Sequence, residues 1–277
     1  MSIVSYIFVA LLGAIMGSFL NVVLFRFGSG KNFGGRSLCQ SCGKVLSWIE
    51  LVPILSYFIQ KRKCRGCSSL ISLQYPLVEL GTAVVFALTF WRLSTSLEFY
   101  SIWASLSAGL TVLAYMTGMS FLVLIAVYDL RHKLIPDQWV LGLAVIGITL
   151  PLVMNIGFGS IVFASINKGL AAVILGLFFW AIWHYSDGRA MGFGDVKLSM
   201  ALGLFLGLDQ GIVALVLAFW IGAVVGLGLI AATRLKLPVA LPSIQTMKSE
   251  IPFAPFLVLG AIIAFVFDLR ILDWILI

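Results

Sequence analysis

Charged residues are scarce in this sequence. The chain has 277 residues, of which 10% are Asp, Glu, Lys or Arg, whereas a soluble domain has about 25%. This deficit excludes a water-soluble enzyme, a disordered chain and a nucleic-acid-binding protein, because each of these needs more charged surface. Hydrophobic residues make up 61% of the chain, and the mean hydropathy is +1.12. We therefore expect an integral membrane protein.

Histidine and a suitably placed serine are also lacking. The chain has only two histidines, His132 and His184, so a histidine general base has little support. No serine lies in a nucleophile-elbow pattern, which argues against a serine hydrolase. Only 11 acidic residues remain as candidates for acid–base chemistry.

Long apolar runs with few or no charged residues predict an all-α polytopic membrane protein with about eight transmembrane helices. A helix needs about 20 apolar residues to cross the hydrocarbon of a bilayer. The runs lie at residues 1–25, 77–92, 102–127, 138–155, 166–185, 196–208, 211–232 and 252–270. The first run has no basic segment before it and no small-residue cleavage site, so we expect a retained helix rather than a signal peptide.

The basic residues predict the orientation of these helices. Residues 26–75 carry eight basic residues and one acid, which gives this segment a net charge of +7. Cytoplasmic loops of membrane proteins are enriched in Lys and Arg. With eight alternating helices, 15 of the 18 basic residues would lie on the cytoplasmic side. The exceptions are Arg92, Lys168 and Arg270.

All four cysteines lie in the same basic segment, as Cys39-x2-Cys42 and Cys64-x2-Cys67. Two such pairs are typical of a tetrahedral structural zinc site. A reducing cytoplasm argues against disulfides, although free thiols or two redox pairs remain alternatives. We expect three parts: a first helix at 1–25, a small zinc-bound cytoplasmic loop domain at 26–75 and a membrane core at 76–277. Metal binding would then supply the folding energy that so small a loop lacks.

Two acids end long apolar runs on the same predicted side of the membrane. Asp129 follows the third run, and Asp195 lies at the entry to the sixth. Ionisable residues at membrane depth are costly and often functional. Two carboxylates that share one proton can act as an aspartic-protease pair. The alternative is that Asp129 is a helix-end charge and Asp195 an N-cap; Asp137 is interpreted as the N-cap of the fourth helix.

Several motifs resemble those of the prepilin peptidases, also called type 4 prepilin leader peptidases. The resemblance covers nearly the whole chain in ordered blocks. The blocks are Gly17–Val23, the four cysteines, Pro53–Tyr57, Tyr75–Glu79, Asp129, Ile135–Asp137, Gly192–Leu198 and Ile251–Phe256. The family usually has glycine at the position of Ala254. It belongs to the intramembrane aspartyl proteases with a Gly-x-Gly-Asp motif, here Gly192-x-Gly194-Asp195.

This resemblance implies an inner-membrane enzyme with two activities. Asp129 and Asp195 would cleave the basic leader from type IV prepilins or type II secretion pseudopilins, whose hydrophobic N-terminal helix lies in the lipid. Gly192 and Gly194 would let the peptide approach the backbone closely, and Lys197 would help to position it. S-adenosylmethionine would then donate a methyl group to the new N-terminal amine.

Acids near the cysteines are candidates for the methyl transfer. A protonated amine must lose its proton before it attacks the methyl group, so a nearby carboxylate would help. Glu79 ranks above Glu50 because it falls in a block shared with the family. The alternative for each is a salt bridge to one of the many basic residues nearby.

Two other functions fit parts of the sequence. A zinc-stabilised transporter or channel would use buried carboxylates to couple ions, although Asp129 and Asp195 lie at one interface and no internal repeat is visible. A peptidase without methyltransferase activity is the second; the cysteine-bearing loop favours the bifunctional enzyme. Anionic lipid headgroups are the expected partners of the +7 segment.

Overall fold

The computed structural model describes residues 3–30, 34–96, 102–154, 158–234 and 252–270. Every regular element within these ranges is helical, and the only strand-like pairings are two isolated bridges, Leu38 with Val45 and Lys63 with Leu70. The all-α prediction is therefore confirmed.

Each predicted span that the structure describes forms a helix. The helices are α1 (Ile3–Arg26), α2 (Leu55–Ile59), α3 (Gln74–Ser96), α4 (Ile102–His132), α5 (Asp137–Val153), α6 (Phe158–Tyr185), α7 (Phe193–Leu206), α8 (Leu208–Arg234) and α9 (Ala254–Val266), with one 3₁₀ turn at Trp48–Leu51. The short α2 and the 3₁₀ turn lie in the segment between α1 and α3. Residues 235–251, which the orientation argument places in a basic loop, lie outside the described ranges.

Five of these helices are long and apolar enough to cross a membrane: Ile3–Arg26, Gln74–Thr95, Leu106–His132, Phe158–Tyr185 and Leu208–Ala232. Helices α5 and α9 are apolar but shorter. The chain is an integral membrane protein, and the count of eight spans stays a prediction. Helix α7 has 14 residues, so it extends about 21 Å, less than the ~30 Å of hydrocarbon.

Capping residues explain why α7 differs from its predicted bounds of 196–208. The helix begins at Phe193 because Gly192 is its N-cap, and it ends before Gly207, whose φ of +85° no helix accommodates. Glycine reaches such left-handed angles without steric cost. Asp195 therefore lies inside the first turn of α7 rather than before it.

The chain divides into two compact units, residues 1–127 and 128–277. In the first unit, α1 packs along α3. Their backbones come so close that a Cβ on Gly13 would lie 2.8 Å from Ala83 Cα, and one on Gly17 would lie 2.7 Å from Glu79 Cα. Small residues that permit such approach are typical of helix contacts in membranes. This contact fixes Glu79 against the end of α1.

In the second unit, α7 packs between α5 and α6. A Cβ on Gly147 of α5 would lie 2.6 Å from the backbone of Leu204, and one on Gly203 would lie 2.5 Å from the Ala172 nitrogen of α6. Helix α8 packs against α9, and Phe179, Phe219 and Phe253 form an aromatic cluster with centroid distances of 5.2–6.2 Å. The contacts at Gly147 and Gly203 hold α7, which carries Asp195, against α5 and α6.

The α1–α3 contact predicts a difference between two glycines. Gly17→Leu should lower the free energy of unfolding by about 1–3 kcal/mol, because the new side chain would overlap the backbone of α3. Gly81→Leu is the matched control, since nothing lies within 4 Å of a Cβ at Gly81. Thermal unfolding in detergent should therefore show a lower Tm for Gly17→Leu only; equal Tm values for the two variants would contradict the contact.

Candidate active site and metal site

The four cysteines converge on one point. One Sγ from each of Cys39, Cys42, Cys64 and Cys67 lies within 4.8 Å of all the others, and the Cys39 and Cys67 sulfurs are 3.9 Å apart. Tetrahedral zinc–thiolate bonds of about 2.3 Å would separate the sulfurs by about 3.8 Å. The donor set and its spacing therefore fit a metal ion such as zinc.

Both cysteine pairs lie in the same kind of turn. The Cys39 N–H donates to the Lys44 carbonyl and the Cys64 N–H to the Ser69 carbonyl, each over 2.9 Å. In each turn the fourth residue after the first cysteine has a left-handed backbone, with φ of +70° at Gly43 and +57° at Ser68. Gly66 gives its N–H to Cys64 Sγ over 3.3 Å.

Backbone N–H groups favour the thiolate of Cys39. The N–H groups of Cys42 and then Ser41 lower the pKa of Cys39 from 9.0 to about 6. At Cys42 the Lys44 N–H also lowers the pKa, but hydrogen bonding with Cys67 and burial outweigh it and raise the pKa to about 11. Thiolates, rather than thiols, bind metal ions, and hydrogen bonds to ligand sulfurs are common in such sites. The turn geometry is thus prepared for a metal ion.

Glu50 is fixed within the cysteine-bearing segment. It is 6% exposed; its Oε2 accepts bonds of 2.8 Å from the Ser47 N–H and from the Ser47 hydroxyl, and Lys44 Nζ is 3.3 Å from its Oε1. The Ser47 N–H, and then its hydroxyl, lower the pKa of Glu50. Glu50 therefore caps the 3₁₀ turn, as in a capping box.

Glu79 has a different environment. It is 6% exposed, and its Oε2 accepts the Ile54 N–H over 2.7 Å, while the Ser18 hydroxyl of α1 also interacts with it. Ile54 has φ of +63° and ψ of −55°, which is rare and strained for a β-branched residue. No hydrogen bond among the described residues joins Glu79 to Glu50. Such strain is frequent at functional sites.

The structure shows a polar cluster beside Glu79 that the sequence patterns do not predict. Asn21 of α1 is 1% exposed; its amide donates to the Tyr75 carbonyl over 3.2 Å and accepts from the Gln74 amide over 3.3 Å. Ser18 and Asn21 stand one helical turn apart in an otherwise apolar run. That spacing places two polar side chains on one face, and it is the signal that could have identified them.

Asp129 and Asp195 lie together in the second unit. They are 5% and 8% exposed, and their carboxylates interact electrostatically with each other. The backbone N–H of Ala254, at the start of α9, is directed at Asp129. The N–H of the N-cap Gly192 is directed at Asp195, whose Oδ1 is buried without a hydrogen-bond partner among the described residues. Each acid therefore faces a helix N-terminus, which favours negative charge.

The remaining predicted site residues are neighbours of Asp195 in the sequence. A Cβ on Gly194 would lie 3.1 Å from Ile135 Cβ, so this position is crowded, whereas Gly192 has only Asp195 Oδ2 and the Gly194 nitrogen within 4 Å. Lys197 forms an ion pair of 2.8 Å with Asp137. The interpretation of Asp137 as an N-cap is wrong: Pro136 is the N-cap of α5, and Asp137 is the first helical residue.

Two aromatic rings, one from α4 and one from α5, pack against Tyr128, the residue before Asp129. Tyr128 lies 4.3 Å from His132 and 5.0 Å from Trp139 between ring centroids. Asp129 and Asp195 are both buried and interact electrostatically, so the two carboxylates cannot both ionise cheaply. Two such acids are the groups that general acid–base hydrolysis requires.

The chain is similar to proteins of one known family. Residues 11–93 match the bacterial peptidase A24 N-terminal domain, and residues 116–227 match the type IV leader peptidase family. The prepilin leader peptidase/N-methyltransferase of Aeromonas hydrophila is 31% identical over 239 residues, which cover 86% of this chain and 74% of that protein. The protein of the same name from Bacillus subtilis (strain 168) is 29% identical over 243 residues, covering 86% and 84%. No solved structure matches the chain.

The chain therefore belongs to the type IV leader peptidase family. The resemblance noted in the sequence is confirmed, and the transporter alternative is not retained. The matched ranges include the four cysteines, Glu79, Asp129 and Asp195.

Proposed function

We propose that this protein is an aspartic endopeptidase that removes the leader from prepilins and N-methylates the new N-terminus. The observation that carries the peptidase activity is the buried pair Asp129 and Asp195 in one compact unit. The relatives named above carry both activities in their names, which supports the methyltransferase as well. A peptidase without methylation is the less supported alternative.

In the proposed cleavage, the two carboxylates share one proton. The ionised acid takes a proton from water, whose oxygen attacks the scissile carbonyl carbon, while the protonated acid gives its proton to the carbonyl oxygen. The C–N bond then breaks as the amide nitrogen takes up a proton, which leaves a carboxylic acid and a free amine. The unpartnered Oδ1 of Asp195 is available for a water molecule or the substrate.

Substrate contacts are proposed for the residues next to Asp195. Gly192 leaves open space where an extended peptide could approach the backbone. Lys197 is held by Asp137 and lies 5.3 Å from the Phe193 ring. The proposed substrates are prepilins or pseudopilins with a basic leader and a hydrophobic helix. Such a helix would share the lipid with the apolar faces of α6 and α8.

The aspartate pair predicts a shared loss of cleavage. Asp129→Asn and Asp195→Asn should each lower kcat by on the order of 10⁴-fold, and the double variant should lose little more, because residues that act as a unit are not additive. The assay is cleavage of a prepilin in detergent, followed by mass. Substantial cleavage by Asp195→Asn would contradict the pair.

Asp187→Asn is the matched control for this experiment. Asp187 is exposed and has φ of +51°, a conformation that Asn adopts as readily as Asp. We expect this variant to cleave prepilin at the wild-type rate. Loss of activity there would mean that the Asn substitutions act through something other than the buried pair.

Glu79 is the proposed base or orienting group for methyl transfer from S-adenosylmethionine. The donor supplies an electrophilic methyl group, and the amine needs a carboxylate that holds or removes its proton. Glu79 is buried next to the strained Ile54, whereas the carboxylate of Glu50 is occupied by Ser47 and Lys44. The lowered pKa of Glu50 also makes it a weaker base. Glu79 is therefore preferred to Glu50.

Glu79→Gln should yield cleaved pilin whose N-terminus is not methylated. Glutamine keeps an oxygen that accepts the Ile54 N–H, so the fold should survive while the charge is lost. Glu50→Gln is the comparison and should retain methylation. The mass of the cleaved pilin, with and without the methyl donor, measures both. Full methylation by Glu79→Gln would remove Glu79 from the site, and loss of both activities would indicate a structural role.

Zinc is the metal proposed for the four cysteines. Four sulfur ligands leave no open position, so the ion would hold the two turns together and take no part in the reaction. The segment has few buried apolar side chains among its described residues, namely Tyr57 and Cys64. Metal binding would therefore supply much of its stability.

Purified protein should contain about one zinc ion per chain, and Cys64→Ser should lose it. Ser41→Ala is the control, because Ser41 is exposed between the ligands of the Cys39–Cys42 turn and its hydroxyl makes no hydrogen bond to a described residue. Elemental analysis and the yield of folded protein measure the effect. Protein that is metal-free and equally stable would dismiss the zinc site.

The proposed location is the bacterial cytoplasmic membrane, with the cysteines and both aspartates on the cytoplasmic side. The +7 charge of residues 26–75 supports this orientation. The same charge would attract anionic lipid headgroups.

Cysteines introduced at the two ends of α6 test the orientation. Ser160 is exposed at the start of α6, and Arg189 is exposed just after its end. An impermeant thiol reagent applied to cells with an opened outer membrane should label Ser160→Cys, and it should label Arg189→Cys only after the inner membrane is broken. The reverse pattern would overturn the orientation.

A further inference from the structure

A buried lysine lies at the end of α7 remote from the aspartates. Lys168 of α6 is 9% exposed, and its Nζ lies 2.8 Å from the Phe205 carbonyl, 3.1 Å from the Leu204 carbonyl and 3.4 Å from the Gly147 carbonyl. No carboxylate is bonded to it among the described residues. Its partners belong to α7 and α5, so one ammonium group joins three helices.

These hydrogen bonds satisfy the last carbonyls of the short helix α7. The last carbonyls of a helix have no partner within the helix, and leaving them unpaired in apolar surroundings is costly. A cation at this end also interacts favourably with the helix dipole. Lys168 therefore fixes the place at which α7 ends.

The neighbouring residue fixes the start of the next helix. Asn167 Oδ1 accepts the Leu208 N–H over 3.0 Å, and a Cβ on Gly207 would lie 2.7 Å from the same oxygen. Lys168 and Asn167 are adjacent on α6. Together they form hydrogen bonds with the residues on both sides of the turn between α7 and α8.

Close backbone contacts join α7 to both of its neighbouring helices. Gly147 and Gly203 bring α5 and α6 against α7, with no room for a Cβ at either position. Asp195 lies in the first turn of this same helix, and its Oδ1 has no partner among the described residues. The position of its carboxylate along the membrane normal therefore follows the position of α7.

We infer that Lys168 is a positioning residue for cleavage: by fixing the C-terminus of α7, it sets the axial position of the Asp195 carboxylate relative to Asp129. The inference rests on the proposed function of the aspartate pair. A displacement of about 1 Å in a catalytic group can lower the rate about 10²-fold. Substrate binding, in contrast, does not require the two acids to be in register.

The test compares kcat and KM for prepilin cleavage by the full chain in detergent. Lys168→Met has a similar length but no donor, and we expect kcat to fall at least about tenfold with KM within about twofold. Lys168→Arg keeps the cation and its donors, and it should recover most of kcat. Methylation of an already cleaved pilin should continue in every variant.

A stability control separates positioning from general weakening. Leu175→Ala leaves a cavity in the same helix, where the buried Leu175 side chain lies against Gly211 of α8, and it keeps the Lys168 contacts with the end of α7. Each variant is assayed at the same temperature interval below its own Tm. If Leu175→Ala and Lys168→Met then lose kcat equally, the inference is overturned. Unchanged kcat in Lys168→Met overturns it as well.

Two further outcomes are distinguishable. If Lys168→Met does not fold, Lys168→Gln keeps one shorter donor, and an intermediate kcat with unchanged KM supports the inference, whereas wild-type kcat overturns it. If the wild-type chain itself does not cleave prepilin, the proposed function fails rather than the role of Lys168.

Discussion

Helix ends in apolar surroundings must find hydrogen-bond partners within the protein, and the arrangement of the site depends on this constraint. At the start of α7 the Gly192 N–H is directed at Asp195, and at its end the last carbonyls accept hydrogen bonds from Lys168. The first turn of α9 directs the Ala254 N–H at Asp129. The two acids proposed for cleavage are thus also the groups that satisfy helix N-termini. The folding requirement and the chemistry use the same atoms.

Much of this structure could be predicted from local patterns. Apolar runs of 13 or more residues with few or no charges predict the long helices, since the membrane demands continuous apolar segments. The spacing of the cysteines predicted their convergence, because a Cys-x-x-Cys turn directs both sulfurs to one side. Asp129 and Asp195 were noticeable because carboxylates are rare in this chain. In each case the signal lies within a few adjacent residues.

Contacts between distant parts of the chain could not be predicted in this way. The sequence places Lys168 only among the three basic residues outside the cytoplasm. It does not reveal its partners, because Leu204 and Phe205 lie 36 and 37 residues further along the chain. The bond between Glu79 and the Ile54 N–H spans 25 residues. The left-handed backbone at Ile54 has no signal in the sequence, because a β-branched residue argues against it. Such features depend on which helices pack together.

The close contact at Gly203 limits how this sequence can change in length. Asp195 and Gly203 lie on one unbroken helix, so their relative direction is set by the number of residues between them. One inserted residue would turn Asp195 by about 100° and shift it by about 1.5 Å relative to the glycine that touches α6. Insertions and deletions should therefore accumulate in the connection before Gly192 rather than within α7. The length of α7 therefore cannot change by one residue without moving Asp195 relative to Gly203.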